Sequence, residues 1–321
     1  MRKELSKILI AGGAGFIGSA FVRLLAKDCI RRGLSLTVVD KLTYAGDLAR
    51  LNDAKGKFRF YKADICDKPK IESIFSKEKI DIVVNFAAES HVDRSIKNAS
   101  LFMDTNIKGV LNLLDASRRH KIKKFIQISS DEVYGGLKKG KLTEDSPLRP
   151  SSPYAASKAA ADLLIKSYIR TYAFPAIIIR PSNNYGPWQY PEKLIPLAIL
   201  KIINKQKVPV YADGKNIREW LYVEDCVRGI YRIMQKGRAG EIYNLGSGEE
   251  KKNIEVVKAL LKIFKAGDKL IQFVKDRPGH DIRYRLDSRK TFEETGWKPK
   301  IKFTQGIRLT ADWYMRHNHA H

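Results

Sequence analysis

The most constraining feature of this 321-residue chain is an apolar run that dissolves into glycines, ILIAGGAGFIG, residues Ile8 to Gly18. Gly12, Gly15 and Gly18 stand between a strand-like segment, Lys7–Gly12, and a segment of helical spacing, Ser19–Gly33. A glycine at such a turn lets the chain double back. A second removes side-chain bulk where a pyrophosphate must approach, and a third lets the helix pack close on the strand. The helix N-terminus then offers free N–H groups and a positive dipole to the phosphates. The spacing is G-x-x-G-x-x-G rather than G-x-G-x-x-G, so the loop alone is a weak signal. A basic start, Met1-Arg2-Lys3, followed by apolar residues also resembles a secretory signal. The glycines interrupt that apolar run early, so the segment is expected to stay on the mature chain.

The strand-helix alternation continues. Further strands are expected at Leu36–Asp40, Phe58–Asp64, Asp81–Ala88, Lys124–Ser130 and Pro175–Pro181. Helices are expected at Pro69–Lys79, Asn106–His120 and Ser152–Tyr172. Nearly all-apolar strands alternating with helices predict an α/β fold, a doubly wound parallel sheet of Rossmann type covered on both faces. After Pro181 the texture changes to SNNYGPWQYPEKLIP, rich in proline, asparagine and aromatics. From there a smaller, discontinuous α/β lobe for the substrate is expected, with helices near Ile254–Ala266 and Thr304–Arg316. The dinucleotide-binding domain would comprise residues 1–181 and 219–247, and the second domain 182–218 and 248–321.

Composition excludes several classes. No stretch is apolar for the 18 or so residues a membrane span needs. Cys29, Cys66 and Cys226 are far apart and odd in number, so neither a disulfide framework nor a zinc spacing can be drawn. A reducing cytoplasm fits that usage. The net charge of +25 favours anionic partners. The lysines are spread along the chain without a basic block, which favours a solvated surface over a nucleic-acid groove. His317, His319 and His321 in the terminal RHNHAH read as a frayed tail, so no metal site is expected.

Candidate chemistry lies where strands end. Asp40, about 20 residues beyond the glycine loop, can accept both ribose hydroxyls and would repel a 2′-phosphate, so NAD is expected over NADP. Lys41 beside it weakens that preference. Asp64 can meet an adenine edge or cap the next helix. Tyr154 and Lys158 share one face of a helix, and an ammonium beside a phenol would lower the phenol's pKa from about 10. Asp131 and Glu132 follow the fifth strand, where open α/β sheets bind ligands. Two carboxyl groups in different surroundings can serve one as acid and the other as base. Ser129 and Ser130 can hold a substrate hydroxyl or cap backbone groups.

With these residues in place, the glycine loop and Tyr154-x-x-x-Lys158 resemble the extended short-chain dehydrogenase/reductase family. More narrowly the chain is similar to the dTDP-glucose 4,6-dehydratases. The likeness runs through GGAGFIGS, DKLTYAGD, NFAAESHVDRSI, SSDEVYGG, YAASK, RPSNNYGPWQYPEKLIP, VYADGKNIREWLYVED, YNLGSGEEKKNIEVV and RPGHDIRYRLDS. The Asp131-Glu132 pair points to dehydration, because related epimerases and decarboxylases usually lack it.

The resemblance implies NAD-dependent dehydration of dTDP-glucose to a 4-keto-6-deoxy product, with Tyr154, Lys158, Asp131, Glu132 and Ser130 as catalytic residues. It implies cofactor contacts from Gly12, Gly15, Phe16, Ile17, Gly18, Asp40, Lys41, Thr43, Gly46, Asp64, Ile65, Ala87, Thr105, Tyr154, Lys158 and Asn184. The sugar nucleotide would meet Ser90, Ser130, Asn183, Lys193, Leu194, Pro209, Tyr211, Arg218, Asn253, Arg277 and His280. A homodimer is implied, with the helices near Asn106–His120 and Ser152–Tyr172 as its interface. Three positions depart from the family: Ser130 for the usual threonine, Cys226 for a frequent histidine, and Ala11 for a threonine before the glycines. Alternatives are dehydration of UDP-glucose or another sugar nucleotide, epimerisation, decarboxylation, or a non-catalytic dinucleotide-binding protein with a basic surface.

Overall fold

The computed structural model describes residues 6–27, 29 and 33–317. The basic N-terminal triplet, His319, His321 and part of the helix expected up to Gly33, residues 28 and 30–32, lie outside them. Seven parallel strands form the large sheet: β1 (Ser6–Ala11), β2 (Leu34–Asp40), β3 (Phe58–Lys62), β4 (Ile82–Asn85), β5 (Lys124–Ile128), β6 (Ala176–Pro181) and, much later, β10 (Ile242–Leu245). Their spatial order is β10-β6-β5-β4-β1-β2-β3. The order reverses between β1 and β4, which opens a crevice at the carboxyl ends of the strands.

Alternation explains why the strands read as continuous apolar runs. In β1, Ile8 and Ile10 point to one core and Leu9 and Ala11 to the other. The first core is covered by α1 (Phe16–Ala26). The second is covered by α2 (Lys68–Glu78), α4 (Gly109–Arg119) and α5 (Pro153–Tyr172). A short helix, α3 (Val92–Lys97), follows β4. Ser152 caps α5 by accepting the Ala155 N–H at 3.1 Å, and Pro153 occupies the first turn.

Several boundaries differ from the sequence reading. Helix α1 starts at Phe16 rather than Ser19, because Gly15 turns the chain directly into the helix. Strand β4 stops at Asn85 and β3 at Lys62, so the residues beyond them are free to line the crevice. The helix expected from Asn106 is preceded by a helical segment, Ser100–Met103, and a π turn, Asp104–Lys108. That turn buries Thr105 and Asn106, and Asn106 bridges the Glu89 backbone and Ser157 Oγ.

The remaining elements build a smaller lobe. A three-stranded sheet joins β7 (Asn183–Tyr185), β9 (Ile217–Tyr222) and β11 (Glu250–Lys252). A two-stranded one joins β8 (Val208–Tyr211) and β12 (Ile271–Val274). Their core is sealed by α6 (Leu194–Ile203), α8 (Asn253–Ile263) and α10 (Phe303–His317). Strand β9 runs straight through residues 218 and 219. The helix after it, α7 (Val223–Lys236), packs on the large sheet beside α1, and α9 (Arg289–Thr295) lies against it.

Candidate active site

The crevice is a cavity of about 300 Å3 at the carboxyl ends of the large sheet. Its floor at one end is the glycine turn. Gly12 has φ +73°, and a Cβ there would lie 2.5 Å from the Ala87 nitrogen. A Cβ on Gly18 would lie 2.2 Å from the Gly12 carbonyl oxygen. Only glycine allows this close approach of β1, α1 and the end of β4. Gly15 makes no side-chain cap, so the first N–H groups of α1 face the cavity without a side-chain acceptor.

Asp40 ends β2 at the same place. Its carboxylate accepts the Ala14 N–H at 2.9 Å and the Leu42 N–H at 2.8 Å, which fixes the side chain at the cavity wall. Lys41 Nζ reaches across to Asp64 Oδ2 (3.5 Å), Glu89 Oε1 (3.7 Å) and Thr105 Oγ1 (3.4 Å). Asp64 accepts the Cys66 N–H at 2.9 Å, while Asp67 rather than Asp64 caps α2.

At the other end lie the residues of the fifth strand and α5. Ser130 caps a 3-10 turn, Asp131–Tyr134, accepting the Glu132 N–H at 3.2 Å and lying 3.2 Å from Asp131 Oδ1. Asp131 is buried and its Oδ2 has no hydrogen-bond partner. Burial first, then the charges of Glu132 and Glu219, push its pKa well above the ordinary carboxylate value. Burial raises Glu132 as well, but Arg277, Arg218 and Lys193 pull in the opposite direction. The pair therefore sits in two environments: burial and neighbouring negative charge favour the protonated form of Asp131, whereas three cations offset part of the effect of burial on Glu132.

Tyr154 and Lys158 occupy one face of α5, as expected, but do not interact as expected. Lys158 Nζ donates to the Ile128 carbonyl at 2.6 Å. Burial lowers its pKa to about 8 against the opposing pull of Asp162. Burial and the charge of Glu132 raise the Tyr154 phenol instead of lowering it. The reason is tertiary: a helix face brings the two side chains to one wall, but the nearest strong acceptor for the ammonium is a strand-end carbonyl. Behind them a fully buried ion pair, Arg180 Nε to Asp162 Oδ2 at 2.9 Å, ties α5 to β6.

Every residue that the sequence assigned to a cofactor lines this cavity, as do Ser90, Ser130, Asn183 and Lys193. The other substrate candidates lie elsewhere. Tyr211 and Arg277 converge on Asp93, at 2.8 and 3.5 Å, and His280 stacks edge-on to Tyr211. Arg218 lies over the Tyr284 ring. Leu194 opens α6, Pro209 pairs in β8, and Asn253 opens α8, all outside the cavity lining. Glu89, Gln189, Tyr190 and Glu192 line the cavity although their sequence context gave no sign of it beyond lying in the matched motifs. Unpartnered buried oxygens of Asn183, Asn184, Ser182 and Gln189 also gather here. Cys226 is fully buried and its thiol pKa is pushed up to about 12, in keeping with a structural role.

Comparison with known proteins agrees with this geometry. The family model for GDP-mannose 4,6 dehydratase matches residues 9–310. A dTDP-glucose 4,6-dehydratase from Streptomyces niveus is 46% identical over 319 residues, covering 98% of this chain and 94% of that protein. The crystal structure of DesIV, a dTDP-glucose 4,6-dehydratase from Streptomyces venezuelae with NAD and TYD bound, has a TM-score of 0.94 at 44% identity, covering 98% of each chain. The NAD complex of a UDP-glucose 4-epimerase from Thermus thermophilus has a TM-score of 0.89 at 32% identity, covering 96% of this chain and 99% of that one. Overall shape is thus common to dehydratases and epimerases and does not by itself separate them. The chain belongs to the GDP-mannose 4,6 dehydratase family and shares nearly half its residues with a dTDP-glucose 4,6-dehydratase.

Proposed function

We propose that this chain is an NAD-dependent 4,6-dehydratase that converts dTDP-glucose to dTDP-4-keto-6-deoxyglucose. The observation that carries the reading is the Asp131–Glu132 pair in the cavity wall, Asp131 buried with an unpartnered Oδ2 and held toward its protonated form, Glu132 subject to the opposing pull of Arg277, Arg218 and Lys193. Epimerisation at carbon 4 needs no such acid and base.

The cavity fits a dinucleotide on its own chemistry. The glycine turn excludes every Cβ at Gly12 and Gly18, the start of α1 presents free N–H groups, and Asp40 stands where ribose hydroxyls would lie. Bound NAD supplies the hydride acceptor for carbon 4 and the hydride donor for carbon 6. The chain supplies the proton chemistry. Ser130 Oγ holds the 4-oxygen, and Tyr154 takes the 4-hydroxyl proton. Turning Lys158 Nζ from the Ile128 carbonyl toward the phenol oxygen is the chain's own means of favouring the phenolate. Glu132 removes the proton at carbon 5, made acidic by the neighbouring ketone. Asp131 protonates the departing 6-hydroxyl, water leaves, and carbon 5 is reprotonated as hydride returns to carbon 6.

The small lobe, with Arg277, His280, Tyr211 and Arg218, holds the nucleotide diphosphate. Two copies of the chain pair through α4 and α5, the latter leaving Leu163 57% exposed and Tyr172 49% exposed. A cytoplasmic location fits. Among the described residues no helix is long and apolar enough to cross a membrane.

The test is mass spectrometry of the products from dTDP-glucose, UDP-glucose and UDP-glucuronate. Loss of one water from dTDP-glucose, with no net NADH, is expected. A product of unchanged mass would make this an epimerase, and loss of carbon dioxide from the glucuronate a decarboxylase.

A further inference from the structure

The segment between β12 and Tyr284 lies as a strap against the residues that follow the 131–134 turn and precede α5, and Asp281 fastens it. The Asp281 carboxylate accepts the Gly136 N–H at 2.9 Å and the Ser151 hydroxyl at 2.8 Å, and Tyr284 donates to it as well. Its backbone carbonyl accepts Arg218 Nη2 at 2.9 Å and Asn216 Nδ2 at 3.2 Å. One residue therefore makes bonds in two directions. Gly136 follows the turn that carries Asp131 and Glu132. Ser151 precedes the cap of α5, the helix that carries Tyr154. Arg218 and Asn216 belong to the small lobe.

Two glycines make room for this contact. A Cβ on Gly136 would lie 2.8 Å from Asp281 Oδ1. Gly279 has φ +63°, and a Cβ there would lie 2.4 Å from the Ser151 carbonyl oxygen. The strap lies flat on the catalytic segments because neither position has a side chain. Arg277 and His280, which the proposed function takes as nucleotide contacts, lie four residues and one residue before Asp281 on the same strap.

We propose that Asp281 is a positioning residue that couples docking of the sugar nucleotide on the strap to the placement of the 131–136 turn and the start of α5. The inference rests on the proposed function for the nucleotide, its contacts with Arg277 and His280, and the roles of Asp131, Glu132 and Tyr154. Binding energy from the diphosphate, remote from the reacting carbons, is thereby spent on aligning acid, base and tyrosine.

The experiment uses the full chain with NAD and compares wild type, Asp281→Ala and Asp281→Asn. Hydrogen–deuterium exchange of segments 131–136 and 151–155 is followed with and without dTDP, alongside the Kd for dTDP and kcat. Without dTDP, Asp281→Ala should exchange both segments on the order of tenfold faster with little change in Tm. With dTDP, wild type and Asp281→Asn should gain protection there, and Asp281→Ala should not. Its Kd should stay within about threefold while kcat falls on the order of 10- to 100-fold. The asparagine should recover most of kcat, because its amide oxygen still accepts from Gly136 and Ser151. Unchanged exchange in Asp281→Ala would overturn the proposal, and so would a loss of dTDP affinity in step with kcat.

If Asp281→Ala does not fold, Ser151→Ala removes one bond alone. It should lose the dTDP-linked protection of 151–155, and wild-type behaviour there would overturn the coupling. A wild type indifferent to dTDP would instead overturn the proposed substrate, and the exchange measured without nucleotide would still decide whether Asp281 ties strap to turn.

Discussion

At the scale of single residues, the site depends on two neighbouring carboxyl groups behaving differently. Asp131→Asn and Glu132→Gln should each lower dehydration by about 10²–10⁴-fold, measured as dTDP-4-keto-6-deoxyglucose formed per enzyme. The pH profile of kcat should be bell-shaped. Activity falls at high pH as Asp131 loses the proton that burial holds on it, and at low pH as Glu132 gains one. The same shift has a cost in stability. The folded chain keeps on Asp131 a proton that the unfolded chain releases in the ordinary carboxylate range. Stability from this group is full below that range and drains away as pH rises through the folded value. Asp131→Asn stays neutral throughout, so it should raise Tm above neutral pH by a few degrees, about 1 kcal/mol, while destroying turnover. Thermal melts of both proteins across the pH range check this.

At the scale of elements, the turn between β1 and α1 makes a graded prediction. Gly18→Ala drives a methyl into the Gly12 carbonyl, whereas Gly15→Ala meets the same oxygen at 3.3 Å. Gly18→Ala should cost about 1–3 kcal/mol and release NAD on dialysis, with Gly15→Ala milder in both. This turn was legible in the sequence apart from the first residues of its helix, because its glycines, its strand and its helix are neighbours along the chain. So were β1 to β6 and α5, whose apolar patterns repeat at the period of the element. What was not legible crosses long distances. Nothing in YAASK shows that Lys158 reaches a carbonyl thirty residues earlier, and nothing in RPGHD shows that Asp281 meets Ser151. The π turn that seats Thr105 and Asn106 also escaped, since its extra residue answers to the Glu89 backbone rather than to a helical period.

At the scale of the whole molecule, the exposed apolar side chains of α5 predict a dimer. Sedimentation should show two copies, and Leu163→Arg should shift the protein toward monomer without lowering its helix content. The order of strands has a different consequence, for the time before the fold exists. Strand β10 closes the large sheet beside β6, yet sixty residues of small lobe and α7 are made between the two. While a ribosome works through that stretch, the apolar β6 has one open side with unpaired N–H and C=O groups. The chain emerges with an adhesive edge that only its own later residues can cover, so yield in a cell should depend on chaperones that shield nascent chains and on the speed of translation between residues 182 and 245.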